Sequence, residues 1–297
     1  MIEVKGITKR FGDFTALDNL TLTVPTGAVY GLVGPNGSGK STIIRHITGI
    51  YRPNSGEVLI DGMPVYENPA VKNRIAYIPD DVFYFNNANM ADMAKFYAGL
   101  YPNFNMDRYK ALLQIFPLDP KRPIRRFSKG MQKQAAFVLC MSMMPDVMVL
   151  DEPIDGLDPV MRRQVWSLIM ADIAERNTTV LVSSHNLREL EDVCDHVGIL
   201  DHGKLLLERS LSEMQENISK ILIALPDGTE LPADASILHH STTGRLHTII
   251  VRGTQAEVTA QFEALAPLFM DVVPLTLEEI FIYELGGVDY EVKEILI

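Results

Sequence analysis

The sequence predicts an α/β fold built on a parallel sheet, and three features of the chain lead to this prediction. Apolar runs at 28–33, 147–150 and 179–183 have the continuous hydrophobicity of strands that are buried on both faces. Amphipathic helical patterns separate these runs, as they do where helices connect parallel strands. The composition, with 47% hydrophobic and 22% charged residues, is ordinary for a globular protein.

The best-defined helix is predicted at 159–176. Asp158 precedes it as an N-cap residue, and Pro159 occupies the first helical position, where a missing N–H is tolerated. The apolar residues of this segment recur on one face of a helix, at Val165, Leu168, Ile169 and Ile173. A helix with such a face packs against a sheet, as the α/β prediction requires.

Two segments depart from this alternation. The stretch at about 83–145 has no clear strand pattern and is rich in Met, Phe and Tyr, so we expect a mostly helical subdomain inserted into the α/β core. We expect 1–215 to form the main domain and 216–297 to form a small accessory α+β domain. Its predicted elements are strands at 218–225 and 246–251 and helices at 256–266 and 276–285.

Charge and hydropathy argue against several classes of protein. The formal net charge of −11 disfavours a duplex nucleic-acid binder, because phosphate contacts need clustered Lys and Arg. No segment has the roughly 20 consecutive apolar residues that a membrane-spanning helix requires. The first residues lack the basic start and apolar stretch of a signal peptide, so we expect the chain to remain in the cytoplasm.

A phosphate-binding loop is predicted between the first buried strand and the helix that follows it. Residues 34–42 match the pattern G-x-x-x-x-G-K-[ST] in full. Glycines let backbone N–H groups turn inward as an anion nest, and the helix beginning near Ser41 directs its positive end at the phosphates. Lys40 would reach the β- and γ-phosphates, and the Ser41 hydroxyl would hold Mg²⁺. The candidate ATP-binding residues here are Gly34, Asn36, Gly37, Ser38, Gly39, Lys40, Ser41 and Thr42.

A pair of carboxylates ends the second buried strand. Asp151 and Glu152 follow the run at 147–150 directly, and the carboxyl ends of parallel strands face the crevice where such sheets bind ligands. With the phosphate loop present, Asp151 is expected to hold Mg²⁺ and Glu152 to polarise the water that attacks ATP. The alternative is that the pair only caps a strand.

Together these residues resemble the ATP-binding subunits of ABC transporters, over about residues 1–215. The segment 127–131, FSKGM, lies where this family has its LSGGQ signature. The other matching elements are a D-loop at Gly156, Leu157 and Asp158 and a switch histidine at His185. The resemblance implies a P-loop NTPase core with an antiparallel β element at its N-terminus and an inserted helical subdomain.

The resemblance also implies roles for individual residues. Ser128 and Gly130 would contact the γ-phosphate bound by the opposite subunit of a dimer, and Ser128 would start a helix. His185 would hydrogen-bond the γ-phosphate and help to position the attacking water. Phe11 would stack on the adenine ring, with Phe14 as the competing candidate.

The chain departs from the family pattern at three positions. Lys129 and Met131 stand where the signature usually has Gly and Gln, a variant that exporter-type members often carry. Asp80 stands where the family's Q-loop has Gln; its oxygens can ligate Mg²⁺, but it cannot donate an amide hydrogen bond. The alternative for Asp80 is a turn cap beside Asp81.

The function implied by the resemblance is that of a transporter motor. Two ATPase subunits, identical or different, would sandwich two ATP molecules with Mg²⁺ and drive a separate transmembrane permease at the inner face of the membrane. The signature variant and the C-terminal domain resemble exporter motors for peptides, antibiotics or lipid-like cargo. The segment 101–104, with Asp80 and Asp81, resembles the branch that exports antimicrobial or amphipathic peptides. The alternatives are a soluble ABC protein acting on ribosomes or DNA and a weakly catalytic regulatory subunit.

Two further clusters of side chains allow more than one interpretation. An aromatic cluster is typical either of core packing or of a groove that receives a cytoplasmic helix of the permease. It consists of Phe83, Tyr84, Phe85, Phe96, Tyr97, Tyr101 and Phe104. His239, His240 and His247 could suggest a metal site, but no Cys or carboxylate lies at ligand spacing.

Overall fold

The computed structural model describes residues 1–211, 213, 218–226, 229, 231 and 236–279. They form two compact units. The larger unit holds residues 1–185 and 196–208, and the smaller one holds residues 186–195 together with the described residues from 209 onward. Among the described residues, no helix is both long and apolar enough to cross a membrane.

Among the described residues, fourteen segments form strands. They are β1 (Ile2–Phe11), β2 (Phe14–Val24), β3 (Val29–Val33), β4 (Ser55–Ile60), β5 (Met63–Pro64), β6 (Ile75–Ile78), β7 (Val147–Asp151), β8 (Thr179–Ser184), β9 (His196–Asp201), β10 (Lys204–Ser210), β11 (Ile218–Ala224), β12 (Ile237–Thr243), β13 (Leu246–Arg252) and β14 (Phe269–Val273).

The helices lie mostly between strands of the larger unit. They are α1 (Lys40–Ile47), α2 (Pro69–Lys72), α3 (Met90–Leu100), α4 (Met106–Ile115), α5 (Lys129–Ser142), α6 (Pro159–Arg176) and α7 (Gln255–Glu263). Short 3₁₀ turns occur at Ile124–Arg126 and Leu187–Glu189.

The core of the larger unit is a six-stranded sheet with the order β10-β9-β3-β8-β7-β6. Strands β9, β3, β8, β7 and β6 pair in parallel with their neighbours. Every residue of β3, β7 and β8 is buried, which explains why each strand contains a continuous apolar run instead of alternating apolar and polar residues. The predicted parallel α/β core is confirmed.

A second sheet, with the order β2-β1-β4-β5, begins the chain. Its three neighbouring pairs are antiparallel, which confirms the expected N-terminal β element. Apolar residues of this sheet join the main core, among them Ile2, Val4, Leu20 and Leu22. The sheet therefore packs as part of the larger unit.

Helix α6 spans the predicted residues, 159–176, because both of its ends are capped. The Asp158 carboxylate accepts hydrogen bonds from the backbone N–H groups of Val160 and Met161 at 3.0 and 3.1 Å. Asn177, in the left-handed region at φ +54°, ends the helix. Its buried Asp172 pairs with Arg108 of α4, so an ion pair connects this helix to the inserted helices.

The segment 79–146 lies between β6 and β7 and is described in full. It contains α3, α4, a 3₁₀ turn and α5, and no strand, which confirms the predicted helical insertion. Ser128 starts α5 as expected: its hydroxyl accepts a hydrogen bond from the backbone N–H of Met131 at 3.3 Å. The second half of α5 is buried, as its apolar sequence requires.

The smaller unit contains an antiparallel sheet with the order β12-β13-β11-β14 and the helix α7. The predicted strands correspond to β11 and β13, and the predicted helix at 256–266 corresponds to α7. The sequence analysis missed β12 and β14. Of the predicted helix at 276–285, residues 277–279 are helical, and 280–285 lie outside the described residues.

Candidate functional site

Three adjacent parallel strands bring the predicted site residues together. Strand β8 lies between β3 and β7 in the sheet, with Val33 paired to Ser184 and Asp151 paired to Ser183. The phosphate loop follows β3, Glu152 follows β7 and His185 follows β8. All three therefore emerge at the carboxyl edge of the sheet, where parallel α/β folds bind their ligands.

Glycines shape the phosphate loop at positions where a side chain would be strained or would clash. Gly39 has a φ of +113°, and Gly37 has a φ of +85°. A Cβ atom on Gly34 would lie 2.1 Å from the carbonyl oxygen of Leu200. The Ser38 hydroxyl is buried and has no hydrogen-bond partner within the described chain. A donor left open inside a glycine loop fits an anionic ligand such as a phosphate.

Lys40 points back into the same loop. Its Nζ donates to the carbonyl oxygens of Gly34 at 2.6 Å and Pro35 at 3.2 Å, and lies 3.8 Å from Oε1 of Glu152. Burial lowers the pKa of Lys40, while the charges of Glu152 and Asp151 act in the opposite direction. The ammonium group is thus held between the loop and the carboxylates, where it can receive phosphate oxygens.

Glu152 lies between the side chains of Lys40 and His185. Its Oε2 lies 3.0 Å from Nδ1 of His185, while Oε1 faces Lys40. Burial raises the pKa of Glu152; the hydrogen bond and charge of His185 and the charge of Lys40 lower it, and the charge of Asp155 raises it. A carboxylate with a raised pKa beside a phosphate loop is suited to act as a general base toward water.

Asp151 is 3% exposed and anchored through Ser183. The Ser183 hydroxyl donates to Oδ1 of Asp151 at 2.7 Å and accepts from the backbone N–H of Glu152 at 3.1 Å. Ser183 was not assigned a role from the sequence, although its hydroxyl directly follows the apolar run 180–182 of a buried strand. Asp151 and the Ser41 hydroxyl are hard oxygen donors, and this donor set fits Mg²⁺.

The signature segment lies against the D-loop of the same chain. A Cβ atom on Gly130 would come 2.7 Å from the carbonyl oxygen of Gly156, so only glycine fits there. Ser128 and Lys129 are exposed, and Met131 is partly buried. Among the described residues, no hydrogen bond or ion pair joins 128–131 to the phosphate loop at 34–42. The other two D-loop residues serve the fold, since Leu157 is buried and Asp158 caps α6.

Asp80 contacts a residue that the sequence analysis did not single out. Its Oδ1 lies 3.4 Å from Nζ of Lys133, and its side chain is 58% exposed. Lys133 is buried in α5, and its Nζ donates to the carbonyl oxygen of Glu152 at 2.6 Å. The available signal was a charged residue one turn before Phe137 on the buried face of an apolar helix.

The two candidates for adenine stacking both remain on the surface. Phe11 and Phe14 are paired at the end of the β1–β2 hairpin and are 45% and 65% exposed. Phe11 also makes an edge contact with Tyr51, with ring centroids 5.7 Å apart, and Lys9 Nζ lies 5.2 Å from the Phe11 ring. These contacts with Tyr51 and Lys9 hold the Phe11 ring and distinguish Phe11 from Phe14.

The aromatic cluster runs from the interior to the surface. Tyr84 is buried and donates to the carbonyl oxygen of Gln132 at 2.7 Å, whereas Phe83, Phe85 and Phe96 are exposed. Edge contacts connect the exposed rings, with centroids 5.1 Å apart between Phe85 and Phe96. The cluster therefore contains both a packed part and an exposed apolar face.

The histidines of the smaller unit lie on neighbouring strands. Nε2 of His240 is 3.0 Å from Nδ1 of His247, and the two rings stack with centroids 5.2 Å apart. Within the described part of the chain, the one group of three side chains that could hold a metal consists of Glu152, Asp155 and His185. The histidine pair forms no such group.

Comparison with known proteins identifies relatives that match most of the chain. Residues 17–155 match the family model described as ABC transporter. The chain is 31% identical over 288 residues to the ABC transporter ATP-binding protein YtrB of Bacillus subtilis (strain 168), which covers 97% of this chain and 99% of YtrB. It is 32% identical over 225 residues to the bacitracin transport ATP-binding protein BcrA of Bacillus licheniformis, covering 75% of this chain and 74% of BcrA. A solved ATP-binding subunit of an ABC transporter superposes with a TM-score of 0.68 at 27% identity, over 72% of this chain and 92% of that one.

Proposed function

Because this chain belongs to the ATP-binding proteins of the ABC transporter family, we propose that it is the ATP-hydrolysing motor of an exporter. The observation that carries the proposal is the position of Glu152. Its two carboxylate oxygens face Lys40 at 3.8 Å and His185 at 3.0 Å, directly beside the phosphate loop. This is the arrangement that a base needs to accept a proton from water attacking the γ-phosphate.

The chemistry divides among residues of the loop and the strand ends. The loop amides and Lys40 bind the phosphates, and Lys40 offsets the charge that develops on them. Glu152 orients the attacking water and accepts its proton, and His185 holds the Glu152 carboxylate from the other side. Ser41 and Asp151 would hold Mg²⁺, which neutralises the phosphate charge when bound. Phe11 would support the adenine ring.

Dimerisation on ATP completes the site in this proposal. Ser128 and Lys129 are exposed at the start of α5, and the N-terminus of that helix carries partial positive charge. Together with Gly130 and Met131 they would approach the γ-phosphate held by a second ATPase subunit, identical or different. Helix α5 would then contribute electrostatically to a nucleotide that its own phosphate loop does not hold.

The transport partner in this proposal is a separate transmembrane permease. The exposed rings of Phe83, Phe85 and Phe96 offer it an apolar docking face, which would keep the chain at the inner face of the membrane. BcrA is by name a bacitracin transport protein, which favours peptides, antibiotics or other amphipathic molecules as cargo. The domain at 216–297 would be accessory to catalysis and would support or regulate the dimer.

The test of the catalytic assignment is Glu152→Gln in the purified full-length chain. The variant should bind ATP with little change and hydrolyse it about 10²–10⁴-fold more slowly, because the amide cannot accept the proton. It should also accumulate as an ATP-bound dimer. Glu57→Gln, which removes an exposed carboxylate from β4, is the matched control and should retain full activity. Turnover by Glu152→Gln at the wild-type rate would remove Glu152 from this role.

A further inference from the structure

A buried lysine outside the phosphate loop connects three parts of the site. The Lys133 side chain is 6% exposed and lies in α5, five residues after Ser128. Its Nζ donates to the backbone carbonyl of Glu152 at 2.6 Å and lies 3.4 Å from Oδ1 of Asp80. The lysine thus joins the signature helix to the catalytic glutamate and to the segment after β6.

The location of this ammonium group is unfavourable without its two partners. A charge removed from water must be paired and hydrogen-bonded, and an apolar side chain of similar size would often fill such a site without loss of stability. Lys133 follows the signature on the face of α5 that turns inward beside Phe137. The fold alone therefore does not account for a lysine at this position.

The backbone of Glu152 explains what the lysine stabilises. Glu152 has a φ of +46°, in the left-handed region that residues with a Cβ atom seldom adopt. The Ser183 hydroxyl accepts from its N–H at 3.1 Å, and Lys133 donates to its carbonyl. Hydrogen bonds therefore hold both the N–H group and the carbonyl group of Glu152. The direction of its carboxylate depends on these two hydrogen bonds.

We propose that Lys133 is a positioning residue for Glu152 and that Asp80 is its counter-ion. Lys133 fixes the left-handed backbone of Glu152 and so aims the carboxylate at Lys40 and His185. Asp80 compensates the buried ammonium in the position where the resemblance implies a neutral Gln. This inference rests on the proposed ATPase function, because it names the residue that orients the base of that reaction.

The experiment compares Lys133→Met, Lys133→Arg and wild type in the purified full-length chain. Lys133→Met keeps the volume but removes the donor, so kcat should fall on the order of 10²-fold, the effect of a small misplacement of a catalytic group. The dissociation constant for ATP, measured by calorimetry, should change less than about threefold, because the phosphate loop is untouched. Lys133→Arg should recover most of kcat, since its guanidinium can donate to the same carbonyl.

Lys110→Met is the matched control. Lys110 is an exposed lysine of α4, and its loss should leave kcat unchanged. If Lys133→Met does not fold, Lys133→Gln takes its place, because its amide is one bond too short to reach the carbonyl. An unchanged kcat in whichever of these two variants folds would overturn the inference, and so would a parallel loss of binding and turnover. A wild-type chain that does not hydrolyse ATP would instead refute the proposed function.

The counter-ion half of the proposal has its own test in a double-mutant cycle. Asp80→Asn should lower kcat severalfold when Lys133 is present and have no further effect in Lys133→Met, because interacting residues are not additive. Additive effects of the two substitutions would show that Asp80 acts independently of Lys133.

Discussion

His185 Nδ1 lies 3.0 Å from Glu152 Oε2, so His185 and the proposed base are in direct contact. Lys40 faces the other oxygen of the same carboxylate at 3.8 Å. The proton affinity of Glu152 therefore depends on identifiable neighbours: burial raises its pKa most, His185 and Lys40 lower it, and Asp155 raises it.

The pH dependence of kcat/KM should report these contacts. A base acts in its deprotonated form, so activity falls as the pH drops through the pKa of Glu152. Because burial raises that pKa, the acid limb should lie at higher pH than the titration of an ordinary glutamate. His185→Ala removes a group that lowers the pKa of Glu152, so the acid limb of the remaining activity should move to higher pH. Asp155→Asn removes a charge that raises the pKa of Glu152, so the acid limb should move to lower pH.

These two variants act as opposite controls for one another. Steady-state ATPase profiles are measured together with circular dichroism over the same pH range, so that acid unfolding is not mistaken for titration. Limbs that move in the same direction in both variants would contradict the assignment to Glu152.

ATP-induced dimerisation should depend on Ser128. Ser128 is exposed at the N-terminus of α5, so Ser128→Arg should obstruct a second subunit without disturbing the chain's own phosphate loop. In a Glu152→Gln background, sizing chromatography with ATP should show a dimer that Ser128→Arg converts to monomer. ATP binding to the monomer should stay within about threefold of the parent variant. A dimer that persists in Ser128→Arg would contradict the shared-site proposal.

Asp80 has two competing roles that a magnesium titration separates. A Mg²⁺ ligand at Asp80 would make Asp80→Ala require more Mg²⁺ for half-maximal ATPase activity. We expect the Mg²⁺ requirement to stay the same and kcat to fall, because Lys133 lies 3.4 Å from the Asp80 carboxylate. Asp151→Ala, which removes the buried carboxylate beside the loop, is the positive control for a raised requirement. A clear shift of the Asp80→Ala curve would restore the ligand role.

Removing residues 212–297 should leave nucleotide binding intact. The phosphate loop, Asp151, Glu152 and His185 all belong to the larger unit. The deletion does remove partners of the segment 186–195, such as Glu278, which Arg188 contacts at 2.9 Å. Solubility must therefore be checked by light scattering before the dissociation constant for ATP is measured. Loss of ATP binding by a soluble truncated chain would show that the proposed division into an ATPase domain and an accessory domain is wrong.

Elements whose governing interactions are local could be predicted from the sequence. Helix α6 was bounded correctly because Asp158 and Pro159 lie within one turn of its first residues. Strand β12 was not predicted, because its residues are mostly exposed and show no alternation of apolar and polar side chains. This strand forms by pairing with β13, and the stabilisation from such pairing cannot be deduced from the residues of one strand alone.

The sequence by itself determined which elements of the site exist and where they emerge. A glycine loop after β3, two carboxylates at the end of β7 and a histidine after β8 must share one edge once the strands are parallel, because such strands end on the same side. Only the tertiary structure decided the connection of Asp80, Lys133 and the Glu152 carbonyl. These groups come from three distant segments, and their contact depends on the packing of α5 beside the sheet. No local pattern encodes such a contact, because burial of the ammonium becomes tolerable only when both partners are in place.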